Sequence, residues 1–324
     1  MITIADIEAA ATRLKGVAAL TPLLQNAALD ELLGGRLLLK AECLQRTGSF
    51  KIRGAYNLLR QLLPAQARCG AVAWSSGNHA QGVAAAGTML GIHTTIVMPE
   101  DAPKTKLENT RRLGGEVITY DRYSGDRESI ARAIAAERGA ELVPSYEHAA
   151  IIAGQGTVGL EVAAQSLALG LPAEQVVIPC GGGGLTSGSA IALKARLPGV
   201  QVFTAEPEYY DDTLQSLQQG KRVSVPTNVA SICDALLTAS PGQMTFEIMQ
   251  KLVSGGLVVS DEEVRAAMRF AFQELKIVIE PGGAAALAAV LAGKIDVRDR
   301  TTVVVLSGGN VDVEVFASAQ VVPV

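Results

Sequence analysis

The chain has 324 residues, 48% hydrophobic and 19% charged, with 28 Lys and Arg against 32 Asp and Glu for a net charge of -4. That length exceeds the roughly 250 to 300 residues at which a single core stops growing, so two lobes are expected, and an apolar content carried by Ala, Val, Leu and Ile excludes a disordered chain. The balanced charge and the lack of a basic stripe interleaved with aromatics argue against nucleic acid, and no apolar run approaches the ~18 residues of a membrane span.

The N-terminal stretch carries Asp6 and Glu8 and no charged-then-apolar export pattern. Cys43, Cys69, Cys180 and Cys233 stand far apart with no Cys-x-x-Cys pair, and His79, His93 and His148 lack metal-ligand spacing. Reduced thiols and a cytoplasmic location are expected.

Ser49-Phe50-Lys51-Ile52-Arg53-Gly54 opens the first informative segment. A serine before the apolar positions Ile52, Ala55, Leu58 and Leu59 predicts an N-cap, which puts Lys51 in the first turn of a helix. There the positive pole of the helix, together with burial, would depress the lysine pKa and free its amine for carbonyl chemistry. On spacing alone, a solvated lysine on a helix face is the commoner case.

Residues 71–74, 94–98, 116–119, 175–178, 200–204 and 301–306 read as strands, and the longer Ala-rich stretches between them as helices. This rhythm predicts parallel sheets covered on both faces, with ligands at the carboxyl ends of the strands. Glycine-rich turns stand at three of those ends. Ser75-Ser76-Gly77-Asn78-His79 gathers polar side chains suited to a carboxylate or a hydroxyl-bearing ring, capping by Ser76 or Asn78 being the plainer alternative. Gly181 to Gly184 lets backbone N–H groups approach an anion ahead of a helix at Leu185, with a flexible loop or tight turn as the alternative. Thr186 and Ser187 stand where a dinucleotide fingerprint needs glycine, and no P-loop lysine follows. The third turn is Ser307-Gly308-Gly309-Asn310. An amine and a phosphate cradle are the two things pyridoxal phosphate requires.

Taken in order, Thr21-Pro22-Leu23, Lys40-Ala41-Glu42, Gly48 to Ala55, Ser75 to Gly82, Met98-Pro99, Ala153-Gly154-Gln155-Gly156-Thr157, Gly181 to Leu185, Glu206-Pro207, Glu280-Pro281 and Ser307 to Asn310 cover nearly the whole chain. With these segments it resembles the fold type II pyridoxal-phosphate enzymes, specifically the serine/threonine dehydratase and serine racemase family. The resemblance implies a tryptophan synthase β-like α/β fold of two domains, each with a parallel or mostly parallel twisted sheet flanked by helices. A large cofactor-binding domain would comprise 1–69 and 149–324, and a small, mobile domain closing on substrate would comprise 70–148.

The resemblance also assigns roles. Lys51 is the Schiff-base lysine, Phe50 packs on the ring, and Asn78 bonds its 3-hydroxyl. Gly181, Gly182, Gly183, Gly184 and Leu185 hold the phosphate, and Ser307 faces the pyridine nitrogen. A neutral hydroxyl there leaves a weaker electron sink than a carboxylate would, favouring prompt loss of a β-substituent over transamination. Ser75, Ser76, Asn78 and His79 take the substrate carboxylate. Lys51 removes the Cα proton, and loss of the β-hydroxyl leads to a 2-oxo acid and ammonia. In relatives that racemise serine, a serine at the place of Ser76 moves a proton on the opposite face of the ring; binding the carboxylate is its plainer role.

Two further sites rest on the same resemblance. Glu206, the carbonyl of Tyr210, and Asp212 match a site where relatives hold magnesium or calcium, with a solvated acidic loop as the alternative. Arg127 matches an arginine that reaches a second substrate carboxylate in racemases and hydroxyaspartate dehydratases, the alternative being a surface residue paired with a nearby acid. Little sequence follows Asn310, so the regulatory domain of biosynthetic threonine dehydratases is not expected, and the Asn-Pro and Ser-x-Lys-Asp-Arg pattern of cysteine synthases is absent.

The expected function is that of a dehydratase, or ammonia-lyase, acting on a 3-hydroxy amino acid such as L-threonine, L-serine or 3-hydroxyaspartate. A serine or aspartate racemase, or a specialised enzyme such as one in hydroxyectoine breakdown, is the alternative. Retention of Lys51 and Ser76 argues against a non-catalytic cofactor carrier. The family implies a homodimer.

Overall fold

The computed structural model describes residues 2–102, 104–121 and 124–321. Ten strands alternate with helices: β1 Leu23–Gln25, β2 Arg36–Ala41, β3 Ala71–Trp74, β4 Thr94–Pro99, β5 Glu116–Tyr120, β6 Glu141–Leu142, β7 Gln175–Pro179, β8 Gln201–Pro207, β9 Gly255–Val259 and β10 Thr301–Leu306. They form a six-stranded sheet in the order β1-β2-β10-β7-β8-β9 and a four-stranded sheet in the order β5-β4-β3-β6. Only β1 against β2 is antiparallel; the other neighbours run parallel. All six expected strands are present, while β1, β2, β6 and β9 are additional.

The continuous apolar runs of β7 and β10, buried at every position, belong to a sheet covered on both faces. The order crosses over at β10 and β7, which places the 307–310 and 181–184 turns side by side at the strand ends.

Close helix packing sets the geometry around Lys51. A side chain at Gly154 would meet the Arg53 carbonyl at 2.5 Å, and one at Gly54 the Ile151 carbonyl at 3.0 Å, so the helices Lys51–Leu59 and Ala149–Ala168 touch backbone to backbone. Gly82 gives the helix Asn78–Leu90 the same approach, since a Cβ there would stand 3.0 Å from the Lys51 carbonyl carbon. Gly156 abuts Gly188 likewise, docking the helix Gly184–Arg196 on the same central helix. Larger side chains would separate these helices, and the residues at their ends would move with them.

Candidate active site

Lys51 is the first residue of its helix, as the sequence implies, but Ser49 is not the cap. Phe50 holds the N-cap position in helical geometry with no side-chain bond. Ser49 instead forms an isolated antiparallel bridge with Gly308, and the Phe50 N–H donates to the Ser307 carbonyl at 3.2 Å. The lysine turn is therefore stapled to the 307–310 turn. Lys51 Nζ donates to the Ser145 carbonyl at 3.2 Å and lies 5.1 Å from the Phe50 ring centroid. Burial pulls the Lys51 pKa down to about 8, with Glu280 opposing part of the shift.

Gly183 has φ 90° and caps the helix Gly184–Arg196. That left-handed conformation suits glycine, and a Cβ would also meet Met249 Cε at 2.6 Å. Among the described residues the N–H groups of Gly181, Gly182 and Gly183 donate to no backbone acceptor. Those of Gly184 and Leu185 stand in the first turn, where a helix offers no partner of its own. The Thr186 hydroxyl just beyond is buried and unpartnered. The Tyr146 ring lies where a side chain at Gly182 would point, and a Cβ at Gly184 would meet Gln155 Oε1 at 2.5 Å and Tyr146 Cβ at 2.9 Å, so both positions suit glycine.

The facing wall follows β3. The helix Asn78–Leu90 is capped by Gly77 without a side-chain bond, so neither Ser76 nor Asn78 acts as a cap. Ser75 Oγ accepts from the Gly77 N–H at 3.3 Å. Asn78 Nδ2 donates to Glu280 Oε1 at 2.5 Å, and Asn78 Oδ1 accepts from Asn310 Nδ2 at 2.7 Å. The His79 ring is buried, and burial drives its pKa down to about 3, with the Lys51 charge adding to the effect. The ring is neutral and Nε2 must carry the proton, because its partner at 2.8 Å is the Val143 carbonyl, which can only accept. Nδ1 is buried without a partner. Ser307 is buried beside the lysine turn.

The structure thus brings Phe50 and Lys51 against Ser307, links Asn78 to the 307–310 turn through Asn310, and joins Gly182 and Gly184 to them through the 145–146 segment. It adds Glu280, Ser145 and Tyr146, which the sequence reasoning did not place in the site. Glu280 had a signal in Glu280-Pro281, an acid just before the proline that starts the helix Pro281–Leu291. Burial, then the nearby Asp234 charge, pushes the Glu280 carboxyl up to about 8.

Arg127 is exposed at the start of the helix Arg127–Arg138, where its charge acts on the neighbouring Asp126. It is close enough to act electrostatically on Tyr146. Elsewhere, Glu206 accepts from the N–H groups of Thr213 at 2.8 Å and Leu214 at 2.9 Å. Both carboxyl oxygens of the buried Asp212 have no hydrogen-bond partner. Burial raises these acids to about 8 and about 7, the Asp212 charge adding to the shift of Glu206. Glu206, Tyr210 and Asp212 are buried, while Glu208 and Tyr209 between them are exposed.

An amine poised to be neutral, a row of unpaired N–H groups, and a polar wall opposite are the requirements of a phosphate-bearing aldehyde. The buried unpartnered Thr186 hydroxyl and the side-chain-free cradle show that the residues present fit pyridoxal phosphate. A family model described as pyridoxal-phosphate-dependent enzyme matches residues 15–308. An L-threo-3-hydroxyaspartate ammonia-lyase from Pseudomonas sp is 43% identical over 313 residues, 97% of each chain. A serine racemase from Schizosaccharomyces pombe is 39% identical over 96% of this chain and 95% of that one. The crystal structure of a T.th. threonine deaminase superposes with a TM-score of 0.91 at 43% identity, covering 96% of this chain and 99% of that one.

Proposed function

The chain belongs to the pyridoxal-phosphate-dependent enzyme family, in the fold type II group of serine/threonine dehydratases and serine racemases, and from that premise we propose that it is an ammonia-lyase. Its substrate is a 3-hydroxy amino acid, with L-threo-3-hydroxyaspartate, L-threonine and L-serine as the candidates, and its products are the 2-oxo acid and ammonia. The observation that carries this reading is Lys51, a half-buried lysine whose pKa desolvation lowers to about 8 at the head of its helix, beside the 307–310 turn.

Lys51 would hold the cofactor aldehyde, and the N–H groups of Gly181 to Gly184 and Leu185 its phosphate. Phe50, Asn78 and Ser307 would contact the ring. Pyridoxal phosphate, when bound, supplies the sink for the electron pair left at Cα. The chain supplies the rest. Ser75, Ser76 and the N–H groups of Asn78 and His79 hold the substrate carboxylate, which orients the Cα–H bond toward Lys51. The Lys51 amine takes that proton, and its depressed pKa keeps a useful fraction neutral near pH 7. Loss of the β-hydroxyl follows, and the released enamine tautomerises and hydrolyses.

Residues 70–148 form the closing domain in this reading, supported by an ion pair that spans the seam, Lys106 Nζ to Asp234 Oδ2 at 2.7 Å. Glu206, the Tyr210 carbonyl and Asp212 would hold magnesium or calcium, which the unpartnered Asp212 oxygens support. Four unpaired cysteines support a cytoplasmic compartment.

The test is a panel of L-threonine, L-serine and L-threo-3-hydroxyaspartate with cofactor-loaded protein, with and without magnesium, reading 2-oxo acid and ammonia. Stoichiometric release of both from at least one substrate is expected. No release from any of them would end the proposal. Serine racemisation is a second reading, favoured by the place of Ser76 in the carboxylate wall. Single serine enantiomers assayed for the opposite one, with Ser76→Ala alongside, decide it.

A further inference from the structure

Three side chains and one backbone carbonyl from distant segments form one chain of directed hydrogen bonds. The Thr47 carbonyl can only accept, so Asn310 must turn its Nδ2 toward it, at 2.7 Å. The same nitrogen then faces Asn78, at 2.7 Å, and Asn78 must answer with Oδ1. That turns Asn78 Nδ2 toward Glu280 Oε1, at 2.5 Å. One N–H of Asn78 is thereby consumed, and among the described residues the other is given to no protein acceptor.

Glu280 is fixed as firmly. Its N–H donates to the Gly308 carbonyl at 3.1 Å, and its carboxyl lies where a side chain on Gly308 would be. The residue is 4% exposed, and it stands at the N-cap position of the helix Pro281–Leu291 without capping it. A carboxyl that declines the capping bond and turns instead to Asn78 and Gly308 has another task.

We propose that Glu280 is a positioning residue of this active site, acting through Asn78 to hold its spare N–H toward the ligand and setting, by its own charge, how strongly that N–H donates. The proposal rests on the cofactor reading above. An ionised Glu280 draws one Asn78 proton into a charge-assisted bond, whereas a protonated one accepts more weakly. The groups that face this carboxyl are Lys51 and Lys106, which favour its charge, and Asp234, which opposes it; Cys43 and Cys233 stand within its electrostatic reach.

The experiment titrates the cofactor-loaded protein between pH 6 and 9, reading the absorbance of the bound cofactor and its dissociation constant, for the wild type, Glu280→Gln and Glu280→Ala. A glutamine can still accept from Asn78 but cannot titrate. Glu280→Gln should keep cofactor affinity within about threefold while flattening the pH dependence of the absorbance. Glu280→Ala should weaken affinity by about tenfold to a hundredfold, the loss expected when a hydrogen bond to a charged group is removed. If both variants titrate as the wild type does, or if Gln and Ala weaken binding equally, Glu280 has no positioning role. A wild type that never develops cofactor absorbance would instead overturn the cofactor reading, and this proposal would fall with it.

Discussion

Arg53 and Glu42 form a two-point ion pair inside the core, Nε to Oε2 at 2.8 Å and Nη2 to Oε1 at 2.8 Å. Both side chains are at most 1% exposed. The free face of the guanidinium reaches Glu161 Oε1 at 2.7 Å, and Lys40 Nζ closes the cluster on Glu161 Oε2 at 2.6 Å. Three segments, the end of β2, the lysine helix and the helix Ala149–Ala168, are joined by charge two residues beyond Lys51.

Removing one member strands the others. Arg53→Ala should cost about 3–5 kcal/mol, because the buried Glu42 would lose its two-point partner and keep only the Thr21 hydroxyl and the nearby Lys40 charge. Against a total stability of about 5–15 kcal/mol that is severe. Urea melts followed by circular dichroism measure it, and a loss under about 1 kcal/mol would show that water or a rearranged Lys40 replaces the guanidinium.

Lys51 makes a kinetic prediction for the cofactor-free protein. Only the neutral amine attacks an aldehyde, and a lysine pKa near 8 means that fraction grows as pH rises toward that value. The rate of cofactor attachment, followed by absorbance, should therefore climb about tenfold per pH unit below pH 8 and level off above it, since each unit below the pKa costs about a factor of ten in neutral amine. Lys51→Ala should show no attachment. A climb that continues to the ordinary lysine value, about 10.4, would mean that desolvation does not depress the amine pKa.

Asp212 and Glu206 make a stability prediction with a definite sign. Both acids have folded pKa values raised above their unfolded ones, to about 7 and about 8. The folded state therefore holds protons that the unfolded chain has already lost, and stability declines as pH rises from the unfolded values toward the folded ones. Without divalent cations the Tm should fall between about pH 5 and pH 8, and magnesium or calcium should restore it by neutralising the pair. Asp212→Asn should flatten the decline and abolish the cation effect. A cation effect of equal size in that variant would place the ion elsewhere.

The sequence showed those parts of the site that are local. Lys51 and the glycine tetrad are each written in a few consecutive residues, and β3, β4, β5, β7, β8 and β10 announce themselves through β-branched or aliphatic runs. β2 hid because Arg36-Leu37-Leu38-Leu39-Lys40 lacks β-branched residues and carries charge at both ends. β1 and β6 are three and two residues long, and the Gly-Gly start of β9 reads as a turn. The Asn78–Glu280 and Lys106–Asp234 contacts join residues 202 and 128 positions apart, and no local pattern encodes such a meeting. Ser49 misled for the opposite reason. Its local pattern is that of a helix cap, yet the bridge to Gly308 claims its backbone and the N-cap position falls to Phe50.

Arg127 is where substrate identity can be decided. Its helix does not depend on its side chain, because Asp126 caps it through the N–H groups of Glu128 and Ser129 at 3.2 and 3.1 Å. A substitution should therefore leave the fold intact and report on substrate alone. The guanidinium belongs to the proposed closing segment and its charge acts on Tyr146, whose ring lies against Gly182 of the glycine cradle. Of the three candidate substrates only hydroxyaspartate has a second carboxylate for it to hold. Arg127→Ala should raise KM for L-threo-3-hydroxyaspartate by about tenfold to a hundredfold, the loss of a charge-assisted contact, and leave KM for L-serine within about twofold. Arg127→Lys should recover part of the affinity but not the two-point geometry that a guanidinium offers. Equal effects on the diacid and the monoacids would make Arg127 an ordinary surface residue and remove the reason to favour hydroxyaspartate.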